Sequence, residues 1–237
     1  MSAPSSIVFG AGSWGTALAV HLAHAGHRVQ LWGRDVALVS AMRDTRVNDT
    51  YLPGIELPAL LEPVATIDGA AAARFAVFAV PSHGLRAVAR SVSGVLPPDA
   101  ILISATKGLE EGSLDRMSQV LCEELPGHPV VVLSGPSFAL ELARKQPTAV
   151  VAASGDADAV AAVQEDRLGV ATRAAAERGQ TILFAAGNGV GNAFDVPVST
   201  YGSDQTGPDW KSAVGAIRQS TSLADSPGAS VSILAIF

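Results

Sequence analysis

The sequence predicts a doubly wound α/β domain on a mostly parallel sheet, followed by an irregular C-terminal extension. Three observations predict it. Up to about residue 165, short apolar runs alternate with segments of helical period. Those runs are apolar at successive positions, so both faces of the strands are expected to be covered by helices. The first strand–helix junction reads Gly10-Ala11-Gly12-Ser13-Trp14-Gly15, a G-x-G-x-x-G turn in a βαβ context.

The elements follow in order. Ile7 to Gly10 reads as a strand and Ser13 to Ala25 as a helix stopped by Gly26. Arg28 to Trp32 is a second strand and Val36 to Arg43 a short helix. A polar loop with Asn48-Asp49 and Pro53-Gly54 leads to an edge strand, Pro63 to Ile67. Phe75 to Val80 is an apolar strand ending at Pro81, and Ser82 to Val95 a helix broken by Pro97-Pro98. Then come a strand from Ala100 to Ala105, a helix from Gly112 to Leu125 and a strand from Val130 to Leu133. A short helix from Ser137 to Arg144, a strand from Thr148 to Ala153 and a helix from Asp156 to Leu168 complete the pattern.

After about Gly169 the text changes. A helix from Ala171 to Arg178 and a strand from Thr181 to Ala186 precede Gly187 to Asp209, rich in Gly, Asn, Ser, Asp and Pro. The chain ends on an apolar run, Val231 to Phe237, with no neighbouring element to cover it. The tail is expected either to add strands to the sheet or to stay disordered and leave that run as an aggregation-prone end. The expected boundary is a binding domain over 1–166 and a tail over 167–237.

Hydrophobic residues make up 48% of the 237 and charged residues 16%, enough apolar material for a core, which excludes a disordered chain. The formal net charge of -6 argues against nucleic acid as a partner but allows a local anion site. No run approaches the roughly 20 apolar residues of a membrane span. The start lacks the basic n-region of a leader, so a cytoplasmic protein is expected. Cys122, the one cysteine, reads as an inert buried thiol in an apolar-periodic stretch. No His, Cys or carboxylate grouping has metal-ligand spacing.

The glycine turn carries the clearest chemistry. Gly10 permits the tight turn, Gly12 admits a pyrophosphate to the backbone, and Gly15 lets the helix pack close to the strand. The helix start then offers N–H groups and a partial positive charge to phosphate. The expected ligand is NAD or NADP on a Rossmann-like domain. Trp32-Gly33-Arg34-Asp35 sits where the choice is made: Arg34 favours a 2′-phosphate, hence NADP, and Asp35 either meets a ribose or caps the helix at Val36. Pro81-Ser82-His83 follows a strand, with Ser82 expected as helix N-cap and His83 beside the crevice. His21, His24 and His27 are expected to face solvent. Lys107, after the strand ending at Ala105, reads as a mobile cation for a phosphate or a carbonyl, or as a plain surface lysine.

Together these segments resemble the N-terminal domain of bacterial NAD(P)-dependent glycerol-3-phosphate dehydrogenases. The matching text is Gly10 to Ala19, Trp32 to Asp35, Tyr51-Leu52-Pro53, Val80-Pro81-Ser82, Ala105 to Glu110, Ser134 to Ala139 and Pro147-Thr148-Ala149. The resemblance covers about residues 7–164. It implies interconversion of dihydroxyacetone phosphate and sn-glycerol 3-phosphate, which feeds phospholipid synthesis. It implies cofactor contacts from Ser13, Trp14, Arg34 and Ala139. Lys107 would touch both cofactor and substrate, and Gly135 and Ser137 would line the substrate site.

The family's second lysine, the proposed acid/base, and its phosphate-gripping Arg-Asn pair belong to a helical domain whose motifs find no match after about Asp166. Lys145 and Lys211 lack the surrounding text. No catalytic residue is therefore assigned, and impaired turnover is expected. The alternative is a non-catalytic dinucleotide-binding module in a fused or rearranged chain. The stretch from Gly179 to Ala216 resembles a subtilisin-like protease segment with Asn188 at the oxyanion position, but the triad motifs are absent. Oligomeric state is not legible.

Overall fold

In the computed structural model the described residues are 5–134, 138–146, 148–163 and 230–236. The chain divides into two compact units, Met1–Leu133 with Phe138–Gln146, and Ser134–Ser137 with Pro147–Phe237.

The first unit is a parallel sheet with helices packed on it. Its strands are β1 (Ser5–Phe9), β2 (Arg28–Trp32), β5 (Leu61–Val64), β6 (Phe75–Phe78), β7 (Ile101–Ser104) and β8 (Val130–Ser134). They lie in the order β8-β7-β6-β1-β2-β5, every neighbouring pair parallel. The order reverses direction at β1, so β1 and β6 flank the topological switch point, where such sheets bind ligands. Between β2 and β5 a small antiparallel hairpin, β3 (Val47–Asn48) and β4 (Leu52–Glu56), replaces the expected plain loop.

Helix α1 (Ser13–His24) is buried at every position from Gly15 to Ala23, as a helix covered on all sides must be. This corrects the expectation for its histidines. His21 is buried, and so is His27 just beyond the helix, whose Nδ1 lies 3.0 Å from Ser6 Oγ. Only His24 is exposed. Helix α5 (Ala139–Ala143) packs against α1. Helix α3 (Ser82–Ser91) buries one stripe, Leu85 and Ala89, and packs on α4 (Met117–Glu124). That side of the sheet holds a core of Ile7, Phe9, Ala76, Phe78, Leu102, Val120 and Leu121. Phe9 stacks on Phe78 at 4.9 Å and meets Trp32 edge-on at 6.1 Å. The three aromatics end adjacent strands, in register, as a floor beneath the switch point.

Other expectations are adjusted. Residues 112–116 are not helical: Glu110 N–H bonds Asp115 O, Leu109 bridges Arg116, and positive φ at Gly112 and Leu114 folds the loop back on itself. Pro81, not Ser82, is the N-cap of α3; Ser82 is its first helical residue. Cys122 is exposed, because α4 buries Met117, Val120 and Leu121 instead.

In the second unit β9 (Thr148–Ser154) pairs antiparallel with β10 (Ser230–Ile236), and α6 (Ala157–Val163) packs on both. The terminal apolar run therefore has a partner: Ser230 aligns with Ser154 and Ile236 with Thr148. The elements expected between 164 and 229, with Asn188 and Lys211, lie outside the described residues.

Candidate functional site

The site starts at the backbone between β1 and α1. Gly10 has φ +116°, and a side chain there would run into the Ala79 carbonyl at the end of β6. A side chain on Gly15 would strike the Gly10 carbonyl. Both glycines are required by the protein's own packing. Gly12 is different. Its φ of -73° and ψ of -179° suit any residue, and a Cβ built on it meets nothing within 4 Å. Packing and backbone angle give no reason for glycine at position 12, beyond the modest preference of a helix N-cap for glycine over alanine or valine. A ligand resting on the backbone does, since it would occupy the space a side chain would fill.

Gly12 is also the N-cap of α1, and no side chain caps the helix. The first turn holds no acidic residue, so the helix dipole is left to an external anion. Ser13 is exposed and Trp14 half-buried at this opening.

A residue expected only as part of a polar loop holds the turn. Asn48, fully buried, donates from Nδ2 to the Ala11 carbonyl at 2.9 Å and to Thr16 Oγ1 at 2.8 Å. Its Oδ1 accepts the Tyr51 N–H at 3.2 Å. The β3–β4 hairpin thus braces the glycine turn. The visible signal was Asn48 beside the family-like Tyr51-Leu52-Pro53, but nothing local shows an amide reaching back to residue 11.

At the end of β2, Asp35 is the N-cap of α2 (Val36–Thr45), its Oδ1 accepting the Ala37 and Leu38 N–H groups at 2.9 and 3.2 Å. Arg34 beside it is exposed and makes no hydrogen bond or ion pair among the described residues. Past β6, His83 is exposed on the first turn of α3. Past β7, Lys107 is exposed, followed by Gly108 at φ +103°. Thus Gly10 to Gly15, Arg34, His83 and Lys107 all follow carboxyl ends of neighbouring parallel strands, on one edge of the sheet. Ala139, half-buried, opens α5. Gly135 and Ser137 lie outside the described residues.

Other features are poorer in chemistry. A groove of about 420 Å³ is lined by His24, Gly54, Ile55, Glu56, Pro58 and Ala143. It sits at the far end of α1, which at 1.5 Å per residue lies about 18 Å from the glycine turn. His21, near it in sequence, is held down to a pKa of about 4 by burial, then by His24 and His27. Among the described residues no three His, Cys, Asp or Glu side chains cluster for a metal. No described helix is long and apolar enough to cross a membrane.

Residues 6–160 match the family model for the NAD-dependent glycerol-3-phosphate dehydrogenase N-terminus. The chain belongs to this family. Among similar family members, glycerol-3-phosphate dehydrogenase [NAD(P)+] of Desulfitobacterium hafniense is 49% identical over 158 residues, covering 67% of this chain and 45% of that protein. The Moorella thermoacetica protein of the same name is 47% identical over 162 residues, 68% of this chain and 48% of that one. The crystal structure of glycerol-3-phosphate dehydrogenase from Coxiella burnetii superposes with a TM-score of 0.66 at 34% identity, covering 70% of this chain and 50% of that chain. The chain spans about half the length of the relatives it matches. The family's fold, a Rossmann-like mostly parallel sheet, is the one found here.

Proposed function

We propose that this chain is the dinucleotide-binding part of an NAD(P)-dependent glycerol-3-phosphate dehydrogenase. The observation that carries the reading is Gly12, a glycine that neither backbone angle nor packing demands, at the uncapped start of α1. Gly10 and Gly15 would shape the cofactor-binding turn, Gly12 would admit the pyrophosphate to the backbone, Ser13 and Trp14 would contact the cofactor, and Arg34 the 2′-phosphate of NADP, with Asp35 engaged as a cap. Ala139 would lie beside the cofactor. Lys107 would touch both the cofactor and the substrate, and with Gly135 and Ser137 would receive dihydroxyacetone phosphate or sn-glycerol 3-phosphate.

When bound, the nicotinamide supplies or accepts a hydride at the substrate's central carbon. The protein's contribution would be to orient that carbon and to place the Lys107 ammonium near the anionic oxygens of the ligand. A cation fixed there is worth most where negative charge grows in the transition state. No residue here matches the family's acid/base lysine, so slow turnover by the chain as given belongs to the same reading. That reading takes 1–166 as the binding domain and 167–237 as a tail of separate origin, in a cytoplasmic protein.

The test is a fluorescence titration with NADPH on the wild type and on Gly12→Val, beside an assay of dihydroxyacetone phosphate reduction. Wild type should bind NADPH. Gly12→Val should lose no more than the ~1 kcal/mol by which a helix N-cap favours glycine over valine, and bind at least about tenfold more weakly, the loss of one phosphate contact or more. Equal affinities would remove the cofactor site. Vigorous turnover by the wild type would remove the claim of impaired catalysis.

A further inference from the structure

Lys107 is an exposed cation of the proposed site, yet carboxylates surround its loop. Glu110 and Glu111 follow within four positions, and Glu123 and Glu124 end the helix packed on α3. Lys107 nevertheless makes no hydrogen bond or ion pair among the described residues. Where these carboxylates go is therefore informative.

They go to α3. Arg86 meets Glu110 with two prongs, Nε to Oε1 and Nη2 to Oε2, both at 2.7 Å. Its Nη1 reaches Glu124 at 2.7 Å and its Nη2 reaches Glu123 at 2.8 Å. Arg90 holds Glu124 a second time, at 3.0 and 2.7 Å. Ser113 donates to Glu110 Oε2 at 2.7 Å. The Glu110 and Glu124 side chains are 15% and 12% exposed, so the pairing is screened from solvent more than a surface bridge would be. Glu111 is exposed and outside the cluster.

The loop backbone is tied on both sides of Lys107. Before it, the Ala105 N–H and the Thr106 hydroxyl both donate to the Phe78 carbonyl, at 2.9 and 3.1 Å. After it, Gly108 turns at φ +103°, and a Cβ there would lie 3.5 Å from Ser82 Oγ. Glu110 then docks on Arg86. Main chain is fixed while the ammonium is left unpaired.

We propose that Arg86 is a positioning residue: by occupying Glu110 it fixes the Lys107 loop on α3 and keeps that carboxylate from neutralising Lys107, leaving the ammonium for an anionic ligand. The ligand clause rests on the function proposed above. A mere scaffold and a charge guard differ in what they do to the Lys107 amine. In either, removing Glu110 as well relieves the stability lost when Arg86 leaves that carboxylate unpaired. Only in a guard does loss of Arg86 slow the reaction of Lys107 itself, and removal of Glu110 restore it.

The experiment uses the full chain with Arg86→Met, which keeps the apolar stem, Glu110→Gln, the double variant, and Arg86→Lys. Two readouts are taken: the rate of Lys107 modification by trinitrobenzenesulfonate without nucleotide, read by peptide mass spectrometry, and NADPH affinity by fluorescence. Arg86→Met should slow Lys107 modification and weaken NADPH binding about tenfold, as loss of one charge-assisted contact would. The double variant should return both toward the Glu110→Gln values, and Arg86→Lys, which should fold even if Arg86→Met does not, should fall between. A double variant no better than Arg86→Met, or a modification rate unmoved by Arg86→Met and Arg86→Lys, overturns the proposal. If the modification rates follow this pattern while Lys107→Met leaves NADPH affinity unchanged, the ligand role of Lys107 fails instead, and the ligand clause with it.

Discussion

Asn48 donates its side-chain amide to the carbonyl of Ala11, 37 residues earlier, from a fully buried position. That bond fixes a carbonyl inside the glycine turn, and the companion bond to Thr16 Oγ1 ties the turn to the helix it opens. Asn48→Ala removes both and leaves Ala11 O and Thr16 Oγ1 buried without this donor. The expected loss is about 1–3 kcal/mol of stability, the cost of unsatisfied buried polar groups. It should appear as a lower urea midpoint with an unchanged slope. NADPH binding should also weaken, because the amides that meet the pyrophosphate lose their brace.

Arg34 and Asp35 are adjacent but do different things, and the difference is measurable. Arg34→Gln should reduce NADPH affinity by about tenfold, the value of one charge-assisted contact, while NADH affinity stays within a factor of two or so. Asp35→Ala should leave both affinities alone and cost about 1 kcal/mol of stability through the lost helix cap. Parallel titrations with the two nucleotides and a denaturation curve check both. Loss of NADH binding in Asp35→Ala would show the carboxylate at a ribose rather than at its helix.

Acidification should destabilise the fold in two windows. His21 has a folded pKa of about 4 against 6.5, so between those values the unfolded chain binds a proton that the folded chain refuses. Stability therefore falls as pH drops through that window, by order 3 kcal/mol. Glu110 and Glu124 are held at about 2 by hydrogen bonds to their arginines, Arg86 first for Glu110 and Arg90 first for Glu124. Their contribution is present above about 4.5 and is lost as pH falls toward 2. Urea midpoints at pH 7 and 5 should differ in the wild type and converge in His21→Leu, which keeps the burial and removes the proton. An unchanged pH dependence in His21→Leu would place the sensitivity elsewhere.

The strands were legible because residues such as Ile7 to Phe9 and Phe75 to Phe78 are apolar at successive positions, and only a doubly covered sheet hides both faces. The glycine turn was legible because its spacing is local. What was not legible is what depends on distant partners. Asn48 looked like a turn residue, since its acceptors lie in another element. His21 looked solvent-facing because a two-sided helix was assumed, whereas α5 and the sheet enclose α1. The terminal run looked unpartnered because β9, its partner, lies on the far side of a long stretch of chain. Cys122 was misplaced by one step of helical phase, beside Leu121, which takes the core position.

The three glycines of the turn should part company when each receives a methyl group. Gly15→Ala forces its Cβ onto the Gly10 carbonyl, a backbone atom that cannot swing aside, and toward Ala79 Cβ at 3.3 Å. Gly10→Ala adds a clash with the Ala79 carbonyl to a φ of +116° that side chains rarely adopt. Each should lower stability by about 1–3 kcal/mol, the range for overpacking, and NADPH affinity would fall only as a by-product. Gly12→Ala has open space and an ordinary backbone, so it should cost no more than the ~1 kcal/mol by which a helix N-cap favours glycine over alanine, while NADPH affinity drops. Comparing melting temperature with affinity across the three thus separates glycine kept for the fold from glycine kept for the ligand. A Gly12→Ala protein as unstable as the Gly10→Ala and Gly15→Ala proteins would mean that position 12 serves packing after all.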